Sequence, residues 1–320
     1  MRLKVLYLIV LVCGCVMGAG FVSGSELWLY FGQYGVYAIP LVAVFALVFS
    51  SGVYKVMQLK HKYNIKSLQE LSFALSPKLG KYVDYILKSG YIFFASAMIA
   101  GMRIIGGEIT VLCTLVVSYI VVVLNKRILT KINLVLVPIV VVFVLSLFYE
   151  NFDTIQLSNL IDLPAFIGAG LVGVLFYSCV NLLLVIGALL RSYTSLTKKA
   201  TLIVAILSGL ILSVLAIVVL IIISPDNFNT LEFPLIGVAF AGGTTSAIAG
   251  EILLIASILT TFIACIFGMR NNNHTKSELL IVLLIVYLLS LMGFYDILKA
   301  GYFVLGILSF VYYCALMKKH

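Results

Sequence analysis

The chain has 320 residues, of which 63% are hydrophobic and only 10% are charged, and its net charge is +9. A soluble domain cannot bury that proportion of apolar surface. The composition therefore excludes a soluble protein and predicts one whose solvent is the lipid bilayer. A positive charge would suit nucleic acid, but the basic residues are dispersed over many short loops, so we expect no nucleic-acid partner.

The apolar runs are about 20 residues long, as a membrane-crossing helix requires, and they lack the alternation of a β-barrel strand. We therefore predict an all-α polytopic membrane protein with about ten transmembrane helices, in a single domain over residues 1–320. Spans four and nine are short for a bilayer core of about 30 Å. The predicted spans, one to ten, are Val5–Phe31, Val36–Val56, Tyr85–Ile105, Ile109–Leu124, Ile132–Phe148, Ala165–Leu190, Thr201–Ile223, Ala247–Met269, Leu279–Met292 and Tyr302–Met317.

The basic residues indicate how the spans are oriented. When the loops are assigned alternately to two sides, the side of the N-terminus receives nearly all the Lys and Arg residues, and the other side keeps Arg103 and Lys299. Loops rich in Lys and Arg stay in the cytoplasm, so we expect a cell (inner) membrane protein with both termini cytoplasmic. The opposite side carries the acidic residues Glu150, Asp153, Asp162, Asp226 and Glu232.

Two of the connecting segments are predicted to be ordered. The stretch Lys66–Leu75 has helical spacing and is soon followed by Pro77, which favours an amphipathic helix on the inner membrane surface. The segment Asp226–Thr245 contains Pro234 and several glycines and is too polar for a span. We interpret it as a re-entrant or capping loop over the outer mouth.

Span one contains a polar stretch, Cys15–Glu26, with three glycines, two serines and a carboxylate. A glycine costs about 1 kcal/mol in a helix interior, and a carboxylate at mid-membrane costs about 3 kcal/mol unless it faces protein or water. We predict a helix break at Gly18-Ala19-Gly20 that faces a cavity, with Ser23–Glu26 as its outer lip. Two alternatives stay open: the small residues only allow close packing of helices, and Glu26 either pairs with Arg103 or points outward into solvent. The residues of this stretch predicted to bind a solute are Gly18, Ala19, Gly20, Ser23, Ser25 and Glu26.

Span six is similar in kind, because three glycines precede a cluster of polar residues. Spans one and six are five spans apart, so they cross the membrane in opposite senses. Paired interrupted helices in two oppositely oriented halves are typical of transporters built from inverted repeats. We predict repeats at about 1–149 and about 163–320, with close helix packing as the alternative role of the glycines. The glycines are Gly168, Gly170 and Gly173, and the residues predicted to line the solute site are Tyr177, Ser178 and Asn181.

Span eight contains Ser257, Thr260 and Thr261 within little more than one helical turn. Their hydroxyl oxygens would suit a Na⁺ ion. The alternative is that each threonine bonds a carbonyl of its own helix, which is common in membrane helices.

The motifs together resemble the YkvI-type membrane proteins of the amino acid–polyamine–organocation superfamily. The resemblance covers essentially the whole chain and implies the LeuT-like fold, with five plus five helices in inverted repeat and a solute held between helices one and six. It also implies a Na⁺ site formed by the carbonyls near Gly14 and Met17 together with Thr260 and Thr261. The residues that carry the resemblance are Gly18-Ala19-Gly20-Phe21, Ser23-Gly24, Glu26, Phe31-Gly32, Asn181, Thr260-Thr261 and Gly293-Phe294.

These observations predict a secondary transporter of a small solute, an amino acid or related amine, coupled to Na⁺ or H⁺ by alternating access. The alternative is a sensor or receptor subunit that keeps the transporter fold but moves no solute. We expect no enzyme activity and no cofactor beyond the ion. The three histidines all lie in loops or the tail, there is no phosphate-binding P-loop, and the six cysteines lie in apolar segments as small buried residues.

Overall fold

The computed structural model describes residues 2–124, 128–152, 167–192, 196–269 and 276–319. These residues are almost entirely helical and contain no strand, which confirms the all-α prediction. Short 3₁₀ turns cover Gly32–Tyr37 and Ser290–Met292. The helices are α1 (Arg2–Val16), α2 (Ala19–Ser23), α3 (Ser25–Tyr30), α4 (Ala38–Tyr63), α5 (Leu68–Leu75), α6 (Gly80–Leu124), α7 (Ile128–Glu150), α8 (Ile167–Arg191), α9 (Lys198–Ile223), α10 (Asp226–Asn229), α11 (Pro234–Ala241), α12 (Thr244–Met269), α13 (Lys276–Leu289) and α14 (Phe294–Lys318).

Each of the ten predicted spans corresponds to an apolar helical segment within the described residues. Seven helices are long and apolar enough to cross a membrane, and α6 among them contains both span three and span four. Two shorter apolar helical segments, Leu3–Val16 and Ser277–Met292, correspond to spans one and nine. The described chain is therefore a multi-span membrane bundle.

Spans three and four are joined by a tight turn inside α6. Gly106 and Gly107 have non-helical backbone angles, and Gly107 has a φ of 67°, a value that glycine adopts readily. The Thr110 hydroxyl donates a hydrogen bond of 2.9 Å to the carbonyl of Met102, eight residues earlier. Residues eight apart in a straight helix are separated by about 12 Å along the axis. This contact therefore requires the chain to turn back at the two glycines.

Helix α1 lies at the centre of the bundle. It packs against α7, α8, α9 and α12, and its residues from Leu8 to Val16 are buried. A helix that is apolar all round is expected to be surrounded by protein. The other close pairs around it are α4 with α8 and α9, and α6 with α12.

Span six is not interrupted in the way that was predicted. Helix α8 is continuous from Ile167 to Arg191; the predicted start at Ala165 lies outside the described residues. A Cβ atom at Gly170 would lie 3.0 Å from Leu41, and one at Gly173 would lie 3.6 Å from Tyr30. Gly170 therefore serves close packing, whereas the 3.6 Å at Gly173 is an ordinary van der Waals distance that leaves room for a Cβ atom.

Span nine ends at Met292 as predicted, but span ten begins earlier than predicted. The helical segment stops at Met292, and Gly293 has a φ of 95°. Helix α14 then begins at Phe294, eight residues before the predicted start of span ten. The residues after Gly293 therefore extend span ten and not span nine.

Both predicted connecting elements are helical. Helix α5 begins at Ser67, whose hydroxyl accepts a hydrogen bond from the Glu70 N–H (3.2 Å), while the Glu70 carboxylate accepts one from the Lys66 N–H (2.8 Å). Because Glu70 accepts from the residue before the N-cap and not from the N-cap itself, this arrangement is a variant of the capping box. Helix α5 packs against α6, and α11 packs against α2, α9 and α12. The segment around α11 therefore covers the α2 end of the bundle.

The cysteines are less uniformly buried than predicted. Cys13, Cys15, Cys179 and Cys265 are buried, but Cys113 is exposed on the side of α6. An apolar span can present a small residue to lipid as easily as to protein, so apolar surroundings in the sequence do not establish burial.

We predict that the contact between α8 and α12 tolerates no added side-chain atom. A Cβ atom at Gly187 would lie 2.6 Å from the Gly268 Cα, a backbone atom that cannot move aside. Gly187→Ala should lower the apparent melting temperature in detergent, since overpacking costs about 1–3 kcal/mol. Gly173→Ala is the matched control in the same helix and should be neutral or stabilising. Equal melting temperatures for the two variants would contradict this close approach.

Candidate solute and ion site at the break in helix one

The first transmembrane helix is interrupted inside the bundle. Helix α1 ends at Val16, and the Gly18 N–H donates to the Val16 carbonyl (2.8 Å) instead of to the carbonyl four residues back. The break therefore lies at Met17-Gly18. This confirms a break at Gly18, but Ala19 and Gly20 belong to the next short helix, α2, and not to the break itself.

The break releases backbone oxygens at a buried position. Among the described residues, no backbone N–H donates to the carbonyls of Gly14, Cys15 or Met17. Leaving such a group unsatisfied in a buried place costs about 1–3 kcal/mol, and lipid offers no donor. The released oxygens therefore favour a bound cation or water.

A second turn follows at Gly24, which separates α2 from α3. Gly24 has a φ of 85°, which side chains other than glycine disfavour. The hydroxyl groups of Ser23 and Ser25 are 2.9 Å apart, and Ser23 also donates to the Gly20 carbonyl (3.3 Å). The two predicted serines therefore hold the turn together.

Glu26 is buried at the start of α3, with 5% of its surface exposed. Its carboxylate packs directly on the backbone of Gly20, where a Cβ atom would overlap it. The carboxylate also interacts with the hydroxyl of Tyr177 on α8. The structure thus brings the predicted residues of helix one and span six together at this carboxylate.

The alternative pairing of Glu26 with Arg103 is wrong. The Arg103 guanidinium donates to the Glu108 carboxylate (2.5 Å) and to the carbonyl and hydroxyl of Ser290 (2.9 and 3.0 Å). It also lies over the Tyr287 ring, 5.5 Å from the centroid. Arg103 therefore links the turn between spans three and four to the end of span nine.

Tyr177 is the aromatic wall of the site. It is fully buried, stacks on Tyr30 with the ring centroids 4.8 Å apart, and makes an edge contact with Phe31 at 5.5 Å. Its hydroxyl lies near both Glu26 and Asn181, and the Asn181 amide nitrogen donates to the Tyr177 backbone carbonyl of the same helix (3.0 Å). The Asn181 Oδ1 accepts no hydrogen bond from the described residues. An acceptor oxygen is therefore available near the Tyr177 hydroxyl.

Ser178 contributes less than predicted. Its hydroxyl donates to the Val174 carbonyl of its own helix (2.6 Å). This bond is local and occupies the donor of the serine. Ser178 is therefore part of the wall of α8, while the Tyr177 hydroxyl lies near Glu26.

On α12, the structure distinguishes the two threonines. The Thr260 hydroxyl donates to the Ser257 carbonyl (3.1 Å), which is the local alternative considered for this residue. Thr261 instead packs on Gly18, where a Cβ atom would lie 3.0 Å from Cγ2 and 3.1 Å from Oγ1. The hydroxyls of Thr261 and Ser257, four residues apart on one helix face, have no partner among the described residues. Thr261 therefore contacts the break, and Thr260 is bonded to its own helix.

Sequence reasoning missed Asn133 on α7. Its side chain has 0% exposure and packs directly on the backbone of Gly14, and neither of its amide atoms has a hydrogen-bond partner in the described structure. A lone asparagine inside an apolar span was the signal that could have found it, because polar groups in spans mark functional positions.

Sequence reasoning also missed Tyr91 in span three. Its hydroxyl donates to the Leu183 carbonyl and accepts from the Gly187 N–H (3.0 Å). These two backbone groups are four residues apart on α8, the spacing of a helical hydrogen bond. The hydroxyl thus inserts into the hydrogen-bond ladder of span six, which remains helical around it.

The oxygens at the break suit one class of ion. Carbonyl, hydroxyl and amide oxygens are neutral, whereas divalent cations in proteins usually take carboxylates and transition metals also take His or Cys. No group of three or more His, Cys, Asp or Glu side chains comes together within the described ranges. The arrangement therefore favours a monovalent cation.

Comparison with known proteins gives the fold. No protein-family model matches the chain. The chain is similar to the uncharacterized protein YyaD of Bacillus subtilis (strain 168), with 26% identity over 329 aligned positions that cover 93% of this chain and 92% of the relative. It is also similar to the crystal structure of a manganese transporter from Eremococcus coleocola in complex with an aromatic bis-isothiourea substituted compound. That likeness has a TM-score of 0.54 at 14% identity and covers 98% of this chain and 76% of the transporter. The chain therefore has the fold of a membrane transporter.

The contact between Gly18 and Thr261 can be tested by a compensating pair. Gly18→Ala should lower the apparent melting temperature, because the new methyl group presses on the Thr261 methyl at about 3.0 Å. Thr261→Ser removes that methyl and keeps the hydroxyl, so the double variant should regain part of the loss. Additive effects of the two changes, measured by thermal unfolding in detergent, would contradict the contact.

Proposed function

We propose that the protein is a secondary transporter of a small amine-bearing solute, an amino acid or a related amine, and that its transport is coupled to Na⁺ or H⁺ by alternating access. The observation that carries the proposal is the break in the central helix, which places a buried carboxylate at one end and released carbonyl oxygens at the other. The transporter fold supports it. The YkvI-type resemblance agrees with it.

The solute end of the site centres on Glu26. A carboxylate in a buried setting attracts an ammonium group, and the hydroxyl of Tyr177 lies beside it. The aromatic rings of Tyr30 and Tyr177 add a face to which a cation is attracted. We therefore assign the amine of the solute to this end.

The ion end centres on the carbonyls of Gly14 and Met17 and the hydroxyl of Thr261. Manganese, which the structural relative transports, is not part of the proposal because the break offers neutral oxygens. If H⁺ is the coupling ion, Glu26 is the group at the break that can carry it. Thr261 and the carbonyls are the groups that would take Na⁺.

Transport would follow from rocking of two helix groups around the break. In this proposal the chain consists of two inverted repeats, at about 1–149 and 163–320, and lies in the cell membrane with both termini in the cytoplasm. Helix one would move with the helices that pack closely together, α4, α8 and α9. The site would then open to one side at a time.

The test of transport is counterflow of labelled amino acids and amines in proteoliposomes. Glu26→Gln should reduce counterflow at least about tenfold, because it removes the charge that pairs with the amine. Glu232→Gln, the same change at an exposed carboxylate, is the matched control and should behave as wild type. Absence of counterflow for every solute under both ion gradients would refute the transporter, and solute-induced stabilisation without flux would indicate a sensor.

The ion assignment makes a separate prediction for the two threonines. Thr261→Ala should weaken Na⁺-dependent transport strongly, because its hydroxyl lies at the break. Thr260→Ala should have the smaller effect, since its hydroxyl is already bonded to the Ser257 carbonyl. The measurement is the Na⁺ concentration that gives half-maximal counterflow. A larger effect of Thr260→Ala would reverse the assignment.

A further inference from the structure

Span five contributes one polar side chain to the centre of the bundle. Asn133 on α7 is completely buried, and neither its amide nitrogen nor its amide oxygen has a hydrogen-bond partner in the part of the chain that the structure describes. The remaining buried residues of this helix face are apolar, as Val137, Val140 and Val144 show. Asn133 is therefore a polar residue on an otherwise apolar face of α7.

The position of Asn133 places it at the break in helix one. Its carboxamide packs on Gly14, where a Cβ atom would overlap the amide group. Thr261 packs on Gly18, one helical turn later along the same segment. Helices α7 and α12 both pack against α1 and against each other. An amide from span five and a hydroxyl from span eight thus flank the turn whose carbonyls are released.

Simple packing does not explain an asparagine at this position. An alanine or serine would fill less space, and a leucine would fill it without a buried polar atom. Buried polar groups in native proteins are almost always satisfied, and an exception points to a bound partner such as an ion. The released carbonyls of Gly14 and Met17 and the Asn133 oxygen are all acceptors, so either a cation or a water molecule would satisfy them, and a Na⁺ titration distinguishes the two.

We propose that Asn133 is a ligand of the coupling ion, with its Oδ1 atom completing a neutral oxygen site formed with the carbonyls of Gly14 and Met17 and the hydroxyl of Thr261. This inference rests on the proposed function and deepens it. A neutral set selects a monovalent cation, Na⁺, over divalent ions. An amide does not titrate, so this site takes a metal ion and not a proton.

The test measures ion binding without any solute. The thermal stability of the purified protein is followed as NaCl replaces choline chloride at constant ionic strength, since an ion that binds the folded state raises the melting temperature. Wild type should show saturable stabilisation by Na⁺. Asn133→Ala should raise the Na⁺ concentration for half-maximal stabilisation at least about tenfold.

The matched control is Ser118→Ala. Ser118 is also fully buried in a span with an unpartnered hydroxyl, but it is not among the residues at the break. Its removal should leave the Na⁺ midpoint unchanged. An unchanged midpoint in Asn133→Ala, or an equal shift in Ser118→Ala, would overturn the proposal.

A second variant keeps the test decisive if Asn133→Ala does not fold. Asn133→Asp adds a carboxylate to the same site, so Ca²⁺ should stabilise this variant and not the wild type. No response to Ca²⁺ in a folded Asn133→Asp protein would count against the ligand role.

The same measurements separate this proposal from the transporter proposal. Counterflow with no Na⁺ stabilisation of the wild type would overturn the Asn133 site and leave transport intact. Na⁺ stabilisation that requires Asn133, with no counterflow of any solute, would support the site and refute transport.

Discussion

The structure depends on one constraint: a helix that breaks inside lipid must find partners for the backbone groups that it releases. Helix α1 ends at Val16, in the middle of the bundle and out of reach of bulk water. The helices that surround the break are apolar elsewhere, yet they bring Asn133, Thr261 and Tyr177 to it. The positions of these three polar side chains therefore follow from the place where helix one stops.

The two ends of the break differ in chemistry. One end presents released carbonyls beside a hydroxyl and an amide, all of them neutral. The other presents the Glu26 carboxylate, enclosed by Tyr30 and Tyr177. The five residues of α2 separate these ends, so a cation and an amine can be held next to each other without sharing a ligand. In the proposed function, this separation is what allows the two to bind together.

Much of the fold could be predicted because a chain that crosses lipid needs long apolar runs. The break in helix one could be predicted because glycines and a carboxylate destabilise a helix inside the membrane. Span six could not be resolved in the same way, since a glycine that packs closely, such as Gly170, looks identical in sequence to one at a break. One alternative paired Arg103 with Glu26, because a sequence shows which residues are oppositely charged but not how far apart they lie. In the structure Arg103 bonds Glu108 instead. Asn133 was missed because a single amide in an apolar run does not indicate which neighbour it faces.

The hydroxyl of Tyr91 has a consequence for how span six can move. It occupies the place between the Leu183 carbonyl and the Gly187 N–H, two groups at the spacing of an ordinary helical hydrogen bond. When span three draws away, these two groups can bond to each other. The helix can thus exchange a side-chain partner for its own backbone without exposing either group to lipid. The two α8 groups would then stay paired, and the Tyr91 hydroxyl would be the group that has to find new partners.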